Sequence, residues 1–321
     1  MNIVWRTLES GSLELQPAPE DWGRAAAAPG AESWFDVDGA EPGKLSAFLE
    51  RAGLHPVQVA RAVDASSDPG VLTFGETSLM EYPTALDGAS GEPGFLTIVI
   101  GASVLITVRH GAAAPLDDLI REISARPAVP LRHLPQIVYL ILDRFADLNV
   151  EAQVGLRERI LRLSQKLAAD PGAVRAGDLS GLREQADRLV SLIENQLYCV
   201  TGLRASDSPA LREPHRRAFV EDLVSEAEIA QRGAYRLEER LNNLYGEYQM
   251  AGNDRVEKRL RFLTIVSAIT LPLGLIAGLL GMNVGGLPGT SFRYGFLAVV
   301  VLMAAVGAAL YGYFKRHGWF D

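Results

Sequence analysis

Cysteine is nearly missing from this chain: Cys199 is the single one in 321 residues, which excludes an intramolecular disulfide framework. It is expected as a small buried or half-buried side chain on a helix. Positive charge is also short, with 31 Lys and Arg against 39 Asp and Glu and a net charge of -8. That balance argues against nucleic acid as a partner and fits an acidic surface or an attraction for cations. The five histidines, at 55, 110, 133, 215 and 317, lack ligand-like spacing, so no structural zinc site is expected. His55 precedes a proline and reads as a helix-start residue. Residues 39 to 44 have a faint phosphate-loop look, but the glycine spacing is one residue short and Leu45 stands where a hydroxyl is required. No serine or cysteine nucleophile stands in a recognisable setting and no dinucleotide fingerprint follows a strand, so an enzyme is not expected. Nor does the N-terminus carry a basic region followed by an apolar core, so no cleaved signal peptide is expected.

The most telling absence is local. No charged residue occurs from Phe262 to Phe292, and none from Tyr294 to Phe314. A bilayer core needs about 20 apolar residues in a helix, and each run is long enough to cross it. The overall composition, 48% hydrophobic and 22% charged, hides this because the apolar excess sits at one end. Arg255, Lys258, Arg259 and Arg261 crowd the entrance of the first span, and Lys315, Arg316 and His317 follow the second, whereas the connecting loop holds only Arg293. The positive-inside rule then places both ends in the cytoplasm and the loop outside. The water-soluble part lies in a reducing compartment, in keeping with the lone cysteine.

Before the spans, the first 130 residues read as mixed α/β. Ser33 to Val37, Val71 to Phe74, Leu79 to Tyr82, and Phe95 to Ile100 with Ser103 to Val108 are strand candidates, the last two joined as a hairpin at Gly101-Ala102. Leu45 to Val63 has helical spacing interrupted at His55-Pro56, and Thr84 to Gly94 reads as a loop. From Leu131 the pattern is helical: Leu134 to about Leu167, a break at Asp170-Pro171-Gly172, Leu179 to Leu203, a Ser/Pro loop at 205–209, then a run from near Leu211. Either that run continues unbroken into the first span, on the order of 100 Å of helix at 1.5 Å per residue, or it kinks near Gly252-Asn253. Acidic residues on it, Glu221, Asp222, Glu226 and Glu228, read as a solvated face.

Thr264, Ser267, Leu271, Gly274, Gly278 and Gly281 follow spacings of 3, 4, 3, 4 and 3, a heptad seam down one face of the first span. Ile265, Leu273, Ile276, Leu279 and Leu280 occupy other faces, suited to lipid or to the second span. Such a seam serves close helix packing, because glycines let backbones approach in lipid. The seam by itself favours that packing; its sharper reading is a pore wall, formed when several copies surround an axis. Asn283 ends the span before Gly285-Gly286 and Pro288, where an asparagine caps a helix. Its amide oxygen also suits a cation or the water around one, and the carbonyls of a helix C-terminus add negative potential.

Gly281-Met282-Asn283 between two terminal spans resembles the Gly-Met-Asn signature of CorA-type divalent cation transporters. Trp34-Phe35-Asp36-Val37, Gly53-Leu54-His55-Pro56, Leu105-Ile106-Thr107-Val108, Leu263-Thr264-Ile265 and Pro272-Leu273 look like that family's landmarks in its order, so the resemblance covers essentially the whole chain. Magnesium-type members usually follow the signature with an acidic residue. Here Val284-Gly285-Gly286-Leu287-Pro288-Gly289 and Tyr294-Gly295-Phe296 are instead similar to the ZntB-like zinc branch. The resemblance implies a homopentameric funnel: an α+β cytosolic domain followed by a long stalk helix that continues into a two-helix transmembrane region. In that frame residues 1–130 are the α/β domain, 131–210 a helical hairpin and 211–261 the stalk. The first span is 262–283, the external loop 284–293, the second span 294–314 and the basic tail 315–321.

It further implies an inner-membrane protein that moves Zn²⁺, with Mg²⁺, Co²⁺ or Ni²⁺ as alternatives and proton coupling compatible with the zinc branch. No resident cofactor is implied, and the partners are other copies of the chain, lipid and the cations themselves. Gly281, Met282 and Asn283 would form the filter, with Asn283 meeting the hydrated ion. Leu260, Leu263, Thr264, Ser267, Leu271, Gly274 and Gly278 would line the pore, Leu271 as an apolar constriction. No acidic pair is recognisable as the cytosolic gating site of magnesium-type members. A reading of another class is a membrane-anchored coiled-coil scaffold or sensor in which the seam only packs.

Overall fold

The computed structural model describes residues 2–7, 14–17, 32–39, 41–64, 68–86, 93–111, 114–125, 133–282 and 294–319. Contacts divide it into two units, Met1–Asn243 and Leu244–Asp321.

The first unit is built on a seven-stranded sheet of β1 (Asn2–Thr7), β2 (Glu14–Pro17), β3 (Ser33–Asp38), β4 (Gly70–Phe74), β5 (Thr77–Leu86), β6 (Pro93–Ile100) and β7 (Val104–His110). Their order is β2-β1-β3-β7-β6-β5-β4, and only β3 and β7 pair in parallel. The strand candidates all appear, and the hairpin turns at Gly101, whose N–H bonds Val104 O at 2.7 Å. Strands β1 and β2 carried no sequence signal strong enough to read. The expected loop at 84–94 is shorter than its Gly, Ser and Pro content suggested: β5 runs through Leu86 and β6 starts at Pro93, because ladder pairing persists across a register shift after Pro83.

Alternation along the central strands divides the core into two layers. Phe35, Val37, Leu79, Val99, Ile106 and Val108 face α1 (Pro42–Arg51) and α2 (Pro56–Val63), meeting Phe48, Leu49 and Val59. Trp34, Met80, Tyr82, Leu96, Ile98 and Leu105 face the other way, toward α3 (Ala114–Ala125), α4 (Leu134–Ala169), α5 (Ala176–Ala205) and the start of α6 (Pro214–Leu280). Helix α3 was not anticipated. His55 caps α2 as expected, its Nδ1 accepting from Val57 N at 3.3 Å while Gln58 Oε1 accepts from His55 N at 3.2 Å.

Helices α4 and α5 fall where the apolar stripes put them, with a 3₁₀ turn at Pro171–Ala173 between them. Cys199 is fully buried on α5, donating to Glu81 O at 3.0 Å, and burial pushes its thiol up to about 12. It is chemically quiet. Helix α6 begins at Pro214, three residues later than expected, because Leu211 closes a separate 3₁₀ turn at Pro209–Leu211. The helix is not interrupted at Gly252: it is continuous over 67 residues.

The second unit holds the last turns of α6 and α7 (Gly295–Arg316). The helical part of the first span stops at Leu280, short of Asn283, and α7 extends two residues beyond the uncharged run, so that Lys315 and Arg316 form its last turn. Gly318, at φ +66°, closes α7: its N–H reaches Lys315 O at 3.4 Å, Trp319 N reaches Phe314 O at 3.1 Å, and the Phe314 and Trp319 rings meet at 5.2 Å. That is a Schellman closure with its hydrophobic contact.

Candidate functional site

Helices α6 and α7 each contain an 18-residue window of mean hydropathy 2.2, of which 6% and 0% respectively is buried within the protein. Apolar helices this exposed require a lipid or protein surround, in line with a two-span membrane protein.

Within the second unit, one stripe of α6 is partly covered: Ile265 is buried, and Ala268, Ile269, Pro272, Leu273 and Ile276 are half-buried. The matching stripe of α7 is Gly295, Val299, Met303, Val306, Gly307, Leu310 and Phe314. A Cβ placed on Gly307 would stand 3.9 Å from Leu273 Cδ1, an ordinary contact distance, so the two stripes meet at this point. Pro272 lies on the partly covered stripe; as a span-interior proline it removes one backbone donor, which membrane helices tolerate when the freed carbonyl finds other partners.

The small-residue seam lies elsewhere on α6. Thr264, Ser267, Leu271, Gly274, Gly278 and Gly281 are all exposed, Leu271 at 72%. A Cβ added at Gly274 or Gly278 would meet nothing within 4 Å. Leu260 and Leu263 are exposed beside the seam, at 57% and 61%. The seam therefore does not hold the two spans of one chain together. Of the faces assigned to lipid or to the second span, Ile265, Leu273 and Ile276 turn to α7, while Leu279 and Leu280 stay open.

Thr264 Oγ1 donates to Leu260 O at 2.8 Å, so its oxygen stays on the seam as an acceptor with its proton already engaged. Gly281 N bonds Ala277 O at 2.9 Å in the last turn, and a Cβ there would press to 3.0 Å from that same carbonyl. A larger side chain would be tight against that carbonyl at this point. Met282 is half exposed beyond it. Asn283, with the loop that follows, lies outside the described residues.

Tertiary structure also gathers groups that sequence spacing kept apart. Tyr139 Oη donates to Asp222 Oδ2 at 2.9 Å. Desolvation, then the nearby carboxylates of Asp143, Asp222 and Asp147, raises the pKa of Glu226, and Asp143 is raised by desolvation and by Asp147. Glu226 is therefore half-buried toward α4, while Asp222 stays exposed and meets Tyr139 of α4 at the surface. Glu221 and Glu228 pair with Arg217 and Arg232 along the helix surface, as expected. His133 and His215, 82 residues apart in the chain, bring their rings to 5.5 Å beside Glu32, with Arg216 Nη2 3.3 Å from His133 Nδ1. Among the described residues no His, Cys, Asp and Glu group is arranged to hold a metal.

Residues 31–316 match the family described as CorA-like Mg2+ transporter protein. The chain belongs to that family. Its members are transporters of metal ions, not enzymes. This CorA-family chain is 28% identical over 232 residues to the magnesium transport protein CorA of Mannheimia succiniciproducens, covering 68% of this chain and 72% of that one. It is 22% identical over 296 residues to the zinc transport protein ZntB of Pectobacterium carotovorum subsp. carotovorum, covering 89% and 87%. The complete structure of the CorA magnesium transporter from Methanocaldococcus jannaschii superposes with a TM-score of 0.82 at 19% identity, covering 99% of both chains, and so shares the fold.

Proposed function

We propose that this CorA-family chain moves Zn²⁺ across the inner membrane as a homopentamer, with both termini in the cytoplasm. The path runs along Leu260, Leu263, Thr264, Ser267, Leu271, Gly274 and Gly278 and ends at the filter Gly281-Met282-Asn283. One observation carries this reading: the Thr/Ser/Gly seam is left open while the neighbouring stripe of the same helix is partly covered by α7. Facing lipid, that seam would offer hydroxyls and bare backbone to hydrocarbon, which rewards neither. Around a shared axis the same atoms face water and a hydrated ion.

Zinc is favoured over magnesium by the loop chemistry. Residues 284–292 contain no carboxylate to concentrate a strongly hydrated Mg²⁺. The relatives include both a zinc and a magnesium transport protein, so ion choice is the point to test. Purified protein in liposomes loaded with a zinc-sensitive dye should take up Zn²⁺, and Asn283→Ala should lose at least about tenfold of that flux while keeping its oligomeric mass. A tenfold excess of Mg²⁺ should leave the zinc signal largely intact, and an imposed pH gradient in the same vesicles tests proton coupling. Wild-type liposomes that pass Mg²⁺ but no Zn²⁺ would overturn the zinc assignment. Liposomes that pass neither would return the seam to a packing role in a scaffold.

A further inference from the structure

Helices α4 and α6 approach each other closely where Gln153 Nε2 donates to Ala230 O at 3.0 Å. Gly233 makes this approach available, because a Cβ there would fall 2.2 Å from Gln153 Oε1. Beside that contact runs a groove of about 350 Å³, entirely within the first unit. Its apolar lining comes from Val150, Val154 and Leu237, and its polar lining is dominated by Arg157, Arg236 and Arg240. No carboxylate lines it. On the same helices Arg162 pairs with Glu158, Arg217 with Glu221 and Arg232 with Glu228, whereas other arginines, Arg159 and Arg255 among them, have no ion pair among the described residues. The three groove arginines make no ion pair or side-chain hydrogen bond among the described residues.

Three exposed guanidiniums line one groove that no carboxylate lines, and their mutual repulsion, though screened by water, makes the groove a positive patch on a chain of net charge -8. An anion resolves the repulsion, and guanidiniums match phosphate oxygens bidentately in a way that a point charge does not. The apolar lining adds a surface for a flat ring, and the groove has the volume of a small-ligand site. Arg240 precedes the uncharged run by 22 residues of helix, about six turns, which puts the groove on the water-soluble part of the chain. We propose that this groove binds a soluble nucleoside polyphosphate, the phosphates on Arg157, Arg236 and Arg240 and the base against Val150, Val154 and Leu237. The site is separate from the ion path and does not depend on which cation is carried.

The test uses full-length protein in detergent with a fluorescent ATP analogue as probe, at low and moderate salt. Saturable binding is expected, displaced by unlabelled ATP and at least about tenfold more weakly by inorganic pyrophosphate, which lacks the ring. Arg236→Ala with Arg240→Ala should weaken binding at least about tenfold. Arg236→Lys with Arg240→Lys, which keeps the charge and the fold, should recover only part of it. Absence of saturable binding at millimolar ATP, or equal binding by the alanine variant with an unchanged circular dichroism spectrum, would overturn the proposal. So would displacement by phosphatidylglycerol micelles as efficient as by ATP, which would mark a lipid headgroup site. A change in oligomeric mass on Arg236→Glu without any ATP binding would instead mark the groove as a contact between copies, and the proposal would fall.

Discussion

Glu81 is the residue whose chemistry its neighbours alter most plainly. It is 1% exposed on β5, one oxygen accepting from Thr97 Oγ1 at 2.8 Å and the other, Oε1, left without a hydrogen bond. Burial raises its pKa from 4.5 to about 7, against smaller opposing contributions from Thr97 and Arg61. A folded pKa above the unfolded one means that the fold prefers the proton. The stabilisation is complete below about pH 4.5 and is lost as pH rises through about 7, a change on the order of 3 kcal/mol. Glu81→Gln keeps the size and removes the charge, so denaturant titrations of the full chain should show the variant gaining stability over wild type between pH 5 and 8. A constant difference across that range would mean the carboxyl is already ionised. His110, whose Nε2 lies 3.2 Å from Thr97 Oγ1, is shifted down by burial and so acts with the opposite sign. The difference between variant and wild type, rather than either curve alone, isolates Glu81. Nothing in the sequence marked this residue. A glutamate in an alternating strand reads as solvent-facing, and only the packing of α2 over that end of the sheet buries it.

Among the elements, α6 runs from the first unit into the second, and its glycines divide by surroundings. Gly252 is exposed with nothing within 4 Å of an added Cβ, whereas Gly233 is filled by Gln153. Gly252→Ala should therefore stabilise the helix by about 0.5–1 kcal/mol, measured as a higher melting temperature in detergent. A clear loss would show that another body packs on Gly252 in the assembly. Gly278→Leu, on the open seam, should leave folding of the single chain intact yet cut cation flux at least about tenfold by narrowing the path. Unchanged flux would remove the seam from the conduction route. Helices α4, α5 and α6 were legible because long amphipathic stripes leave few alternatives. The N-terminal strands were not, being short elements whose existence depends on neighbours; α3 does carry a helical stripe, Leu116, Leu119, Ile120 and Ile123, though it was not anticipated.

At the scale of the whole molecule, the two families of helix face separate what one chain satisfies from what it does not. The stripe through Ile265 and Leu273 is satisfied by α7, and the stripe through Ser267 and Gly274 has no partner in the described chain. Ser267→Cys or Gly274→Cys should consequently cross-link between copies in membranes under mild oxidation, while Leu297→Cys on the exposed face of α7 should not. Monomers throughout would defeat the pentamer and the pore together. The native Cys199 will not confuse the result, since it is buried and its thiol is pushed up to about 12.

The sequence by itself determined the two spans, their charge-marked ends, the long helices and the identity of the seam, because length, hydropathy and heptad spacing are local properties that no fold can undo. Tertiary structure alone decided which face of the first span the second one covers, that Glu81 is buried, that Glu226 is half-buried toward α4 while Asp222 meets Tyr139 at the surface, and that three arginines from two helices line one groove. These depend on which surfaces meet across tens of residues of chain, and pairing of distant surfaces is a matter of shape and desolvation that periodicity does not carry.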